Sequence, residues 1–145
     1  MSLLSAISVS ASGMAAQRVR AELLVENMAN AETTRTPEGG PYRRKDAVFA
    51  SEPQGSPFAA VFQTEMAAYS TGVGVAEVVE DTREPVRRYL PGHPDADADG
   101  YVAFPNVSPA EDMVDLMAAS RGYQVNVAAI SAVKDMIQRS IDLLR

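Results

Sequence analysis

Cysteine is absent from this chain of 145 residues, which excludes a disulfide framework and any thiolate metal site. Histidine occurs once, as His93 between Gly92 and Pro94, so a zinc site built from several histidines cannot form within one chain. Long apolar runs are missing too. Met1 to Ile7 has no basic stretch ahead of its apolar residues, and Ser and Gly interrupt the apolar residues beyond it. Neither a cleavable signal peptide nor a membrane span is expected. The protein is therefore expected to be cytoplasmic, or to leave by a route that needs no such signal.

Positive charge is scarce, with 13 Lys and Arg against 19 Asp and Glu and a net charge of −6. The densest basic run, Arg43-Arg44-Lys45, has acidic residues nearby. It cannot neutralise much of a phosphate backbone, and nucleic acid is not an expected partner. No Gly-rich loop joins a strand to a helix, and nothing resembles a nucleophile elbow. Glu77, Glu80, Asp81 and Glu84 could pair as carboxylates, but no surrounding pocket is predicted for them. Neither an enzyme nor a cofactor is expected, and no catalytic, metal or cofactor-binding residue is assigned. Asp95, Asp97, Asp99 and Gly100 match the first, third, fifth and sixth positions of a calcium loop, but the twelfth is Asn106 where a bidentate Glu belongs. A solvated polar turn is the expectation there.

What the chain does have is helical periodicity at both ends. Ser108-Pro109-Ala110-Glu111 reads as a helix start, with Ser108 at the N-cap, Pro109 in the first turn and Glu111 able to close a capping box. Beyond it Met113, Leu116, Ser120, Tyr123, Val127, Ile130, Lys134, Ile137, Ile141 and Leu144 alternate by three and four, a heptad seam. Met117, Val133 and Met136 widen the stripe. A helix over 109–144 would be roughly 54 Å long, and needs another long helix to cover its seam. From Leu3 to Ala31 a second, less bulky seam runs through Ile7, Ser10, Met14, Gln17, Ala21, Leu24 and Met28. Ala11, Gly13, Ala15 and Ala16 would let a second backbone come close.

Between the helices the pattern changes. Asn27 and Asn30, with Thr33 and Thr34, supply side chains that compete for backbone hydrogen bonds and can end a helix. Thr36-Pro37-Glu38-Gly39-Gly40-Pro41-Tyr42 predicts a sharp turn. Short strands are expected over 73–80, 87–90 and 100–104, with 42–50 either a further strand or a segment running along the helices, together forming a small antiparallel element; 57–66 is ambiguous. The predicted fold is α+β: long N- and C-terminal helices paired as an antiparallel coiled coil, with a small β-rich middle segment. Its divisions are residues 1–31, an N-terminal coiled-coil helix; 32–105, turn-rich and β-rich; and 106–145, a C-terminal coiled-coil helix packing with 1–31 as one core.

Several stretches resemble the flagellar axial family of rod and hook proteins. The most general is Ala11-Ser12-Gly13-Met14 through Asn27-Met28-Ala29-Asn30-Ala31, similar to that family's N-terminal signature, although Glu26 stands where a further asparagine often precedes. Thr34 to Arg44, Tyr89 to Ala96 and Gly100 to Val107 are more specific, and resemble a proximal rod subunit of the basal body. Glu111-Asp112-Met113-Val114 through Ser120-Arg121-Gly122-Tyr123-Gln124-Val125-Asn126 is similar to the family's C-terminal helix signature.

The resemblance implies a structural subunit of the proximal rod that assembles helically and transmits torque, located in the periplasmic part of the basal body. Its implied partners are other rod proteins and copies of itself, MS-ring or export-gate proteins at the rod base, and the type III export apparatus, with no direct membrane insertion. On this reading Ile7, Met14, Leu24 and Met28 meet Leu116, Tyr123, Ile130, Ile137 and Ile141 within a subunit. Asn27, Asn30, Met117, Val133 and Met136 face neighbours. The alternative is a coiled-coil oligomerisation or adaptor protein outside the flagellum.

Overall fold

The computed structural model describes residues 3–53 and 71–143. Helix α1 spans Leu3–Ala29, and strands β1 (Lys45–Pro53), β2 (Thr71–Glu80), β3 (Val86–Tyr89) and β4 (Tyr101–Phe104) lead to helix α2, Pro109–Asp142. The architecture is α+β. Residues 57–66, ambiguous in sequence, lie outside the described residues.

The two helices run antiparallel. Gly13 on α1 faces Asn126 on α2, Gln17 faces Gly122, and Arg20 reaches Asp115 at 3.6 Å, so the partners descend as α1 ascends. Small side chains fill the contact. Ala16 and Ala119 are buried, and a Cβ on Gly13 would lie 3.0 Å from the Asn126 amide. Such residues let the backbones come closer than a leucine seam allows, and close packing of this kind resists deformation.

The inward face of α2 differs from the predicted seam. Leu116, Ile130 and Ile137 are half-buried, but the most buried positions are Asp112, Ala119 and Val133, a seven-residue spacing with half-buried Asn126 completing it. Met113, Ser120, Val127 and Lys134, each one residue further on, are exposed. Tyr123 and Ile141, expected inside, are 41% and 50% exposed. The physical reason is size: a face carrying Ala119 and Gly122 lies closer against α1 than one carrying Met113 and Val127. On α1, Leu24 is buried, Ile7, Met14 and Met28 are half-buried, and the outward positions Ala11, Ala15, Arg18, Glu22, Val25 and Ala29 step by four and three.

The start of α2 also corrects the capping expectation. Ser108 is extended, with φ −107° and ψ 100°, but its side chain makes no capping hydrogen bond. Pro109 occupies the first turn, where a missing N–H costs nothing, and the Asp112 N–H donates to the Ser108 carbonyl at 3.0 Å. Glu111 and Asp112 place negative charge at the positive end of the helix dipole.

Four strands form where strands are expected, but they divide into two separate two-stranded antiparallel sheets, β1-β2 and β3-β4. The first is an irregular ladder, its register shifting between Val48 and Phe49. It packs on α1, whose Ser12 hydroxyl accepts the Val73 N–H at 3.1 Å. Helix α1 is thus central, touching α2 as well as the first sheet. In the second sheet Val102 and Phe104 are buried, and the Arg88 guanidinium lies 4.8 Å over the Phe104 ring.

Candidate functional site

The polar groups of this fold converge where the end of α1, the base of β1 and the first turn of α2 meet. Helix α1 ends because Asn30 takes over its last carbonyls: its N–H and its Nδ2 both donate to the Glu26 carbonyl, at 3.1 and 2.9 Å, and its Oδ1 accepts the Thr33 hydroxyl. Gly39 and Gly40, at φ 92° and 81°, then allow the turn that closes with Thr36 N–H on the Gly40 carbonyl and Tyr42 N–H on the Thr33 carbonyl. That reversal carries Tyr42 and Lys45 back onto the helix they follow.

Asn27 receives them. Its Oδ1 accepts both the Tyr42 hydroxyl and the Lys45 N–H at 2.9 Å, while its Nδ2 donates to the Lys45 carbonyl, also at 2.9 Å. The side-chain amide thus takes the place of a neighbouring strand for Lys45. Rotating it by half a turn would set the NH₂ against two donors, so the network fixes its orientation. Asn27, expected to face a neighbour, is 0% exposed within the chain; its polar atoms are satisfied by Tyr42 and Lys45, so it joins elements of one subunit. Val133, also expected to face neighbours, is buried as well. Burial and then Glu26 push the Tyr42 hydroxyl up to about 12, so it remains a donor. The Lys45 ammonium reaches Glu26 Oε1 at 2.7 Å and lies 5.7 Å from the Tyr42 ring centroid. The hydrogen bond to Glu26 raises the Lys45 pKa.

Arg44 faces the other way. Its Nε lies 3.2 Å from Asp46, its Nη1 2.9 Å from Asp112 and its Nη2 3.9 Å from Asp115. One guanidinium therefore ties the base of β1 to the first turns of α2. Sequence reading missed Tyr42, Arg44, Lys45 and Asp112 as a unit; the only signal was a basic run close to acidic residues.

The aspartate-rich turn uses its carboxylates on the chain itself. Asp95 accepts the Thr34 hydroxyl at 2.8 Å and pairs with Arg35 at 3.6 Å, while Asp97 accepts the N–H groups of Asp99 and Tyr101. Among the described residues no group of His, Cys, Asp or Glu has a metal-holding arrangement. Nor is any helix there long and apolar enough to cross a membrane. On the outer face of α2, by contrast, Met113, Val114, Met117, Val125 and Met136 stand exposed.

Fold and junction define a packing module, a helical hairpin whose buried polar groups hold its own elements in register and whose second helix keeps an apolar face uncovered. Residues 98–143 match the family model for the flagellar basal body rod FlgEFG protein C-terminal segment. Over its whole length the chain is similar to flagellar basal-body rod proteins FlgC: 37% identical to that of Borreliella burgdorferi over 151 residues, covering 100% of this chain and 99% of the relative. Identity is 37% to the Bacillus subtilis protein (99% of each chain) and 38% to the Salmonella typhimurium protein (99% of this chain, 98% of the relative). The chain belongs to the FlgC family of flagellar basal-body rod proteins. Similarity from end to end does not favour an adaptor outside the flagellum.

Proposed function

We propose that this chain is a non-catalytic structural subunit of the flagellar basal-body rod, assembling helically with copies of itself and with other rod proteins to transmit torque. The observation that carries this reading is the uncovered apolar face of α2. Met117 and Met136 are 50% and 48% exposed on a helix whose opposite face is already filled by α1. Apolar residues on that scale and in one stripe call for a further helix or sheet. Asn30, half-buried at the end of α1, is proposed as a further contact with a neighbouring subunit. Units 1–31 and 106–145 act as one core, and 32–105 fixes each copy's place among its neighbours.

Family membership supports assembly with other rod components; the proposed partners are copies of this chain and other rod proteins along the axis, MS-ring or export-gate proteins at its base, and the type III export apparatus as the route to the periplasm. Substituting Met117→Asp with Met136→Asp tests this in the cell. Subunits that fold and are exported but fail to enter isolated basal bodies, with loss of motility, support the proposal; normal rods and swimming refute it.

A further inference from the structure

Asp112 is the least accommodated group in the described fold. It is 0% exposed, and Arg44 Nη1 approaches Oδ1 to 2.9 Å, yet neither carboxylate oxygen receives a well-aligned hydrogen bond among the described residues. The contact is an ion pair without hydrogen-bond geometry, and Arg44 divides its charge among Asp46, Asp112 and Asp115. Burial of an incompletely paired carboxylate disfavours its charged form.

The surroundings act in the same direction. Asp46 on β1 and Glu111 and Asp115 on α2 are negative. Against them stand Arg44, which directly contacts Asp112; Arg20 on α1, whose charge is spent on Asp115 at 3.6 Å; and Arg83, which salt-bridges Asp81. Tyr42, a further titratable neighbour, is pushed up to about 12 and keeps its proton at neutral pH. Burial first, partly offset by Arg44 and reinforced by Asp46, Asp115 and Glu111, raises the Asp112 pKa.

We propose that Asp112 is a proton-operated stability switch at the start of α2: the fold accommodates its protonated form better than its ionised form, because burying the charge costs more than the shared Arg44 contact returns. The sign is opposite to that of an ordinary salt-bridged carboxylate. The folded chain holds a proton on Asp112 at pH values where the unfolded chain has lost it, so stability falls as pH rises from the unfolded value, about 3.9, through the folded one. A neutral amide at this position removes the titration, and Arg44 keeps Asp46 and Asp115.

The test is urea unfolding of the full chain over a pH series, wild type beside Asp112→Asn, with the side-chain carboxyl resonance of Asp112 followed by NMR in the wild type. The expected result is that wild type loses stability relative to Asp112→Asn as pH rises from about 3.9 toward neutrality, and that the Asp112 resonance titrates above about 3.9. Parallel stability profiles, or a midpoint at or below that value, overturn the proposal. Should Asp112→Asn fail to fold, the resonance decides alone, and Asp115→Asn must lower its midpoint by removing a like charge; a midpoint that stays put or rises overturns it equally.

Discussion

Asn27 and Lys45 meet as two strands would, the side-chain amide of one pairing with both the N–H and the carbonyl of the other at 2.9 Å. A helix cannot ordinarily pair with a strand, because its backbone groups are spent internally. A fully buried asparagine on its last turns provides what the helix backbone lacks.

Replacing Asn27 by alanine strands the Lys45 N–H, the Lys45 carbonyl and the Tyr42 hydroxyl together. A loss of about 2 to 4 kcal/mol in urea unfolding is expected, since each buried unsatisfied group costs about 1 to 3 kcal/mol and the site can relax in part. Asn27→Asp should do no better at neutral pH, because it removes the donor to the Lys45 carbonyl and buries a charge. A loss below half a kcal/mol, on the order of a surface change, would show that the junction contributes nothing.

Gly13 and Asn126 should be energetically coupled. Alanine in a helix is favoured over glycine by about 1 kcal/mol, but a Cβ at position 13 meets the Asn126 side chain at 3.0 Å, and that side chain is held on the Gly122 carbonyl at 2.9 Å. Gly13→Ala alone is expected to bring no gain. In an Asn126→Ala background it should stabilise by about 1 kcal/mol relative to that background. A thermal-unfolding double-mutant cycle showing equal effects in both backgrounds contradicts this packing.

Tyr42 predicts an alkaline limb. Its hydroxyl titrates at 10.0 when free and about 12 in the fold, so the folded chain keeps a proton that the unfolded chain loses, and stability falls as pH rises through that interval. Tyr42→Phe should cost about 1 kcal/mol at neutral pH and flatten the limb. An unchanged alkaline profile in the variant would assign the loss to other groups, Lys45 first among them.

Ser108→Ala separates a working cap from a bystander. A functioning N-cap serine is worth about 1 kcal/mol; here the side chain caps nothing, and a change within about 0.5 kcal/mol is expected by chemical denaturation. A full cap penalty would place its hydroxyl on the α2 backbone after all.

The helices, the reversal between them and most of the strand positions are legible in the residues alone. These depend on local physics: three-and-four spacing from Leu3 and from Pro109, glycines and prolines between Thr36 and Pro41, and β-branched runs such as Val73 to Val79. Tertiary structure alone decided which edge of α2 turns inward, because several edges are apolar and the choice depends on how closely α1 approaches. It decided that the strands divide into two sheets, since strand pairing depends on distant partners. It also decided the role of Asn27, legible as a helix-ending residue but in fact carried past by a helix that runs to Ala29. The burial of Asp112 was invisible for a similar reason: an acidic residue in a first helical turn reads as solvent-facing until a chain reversal some seventy residues earlier brings Arg44 over it.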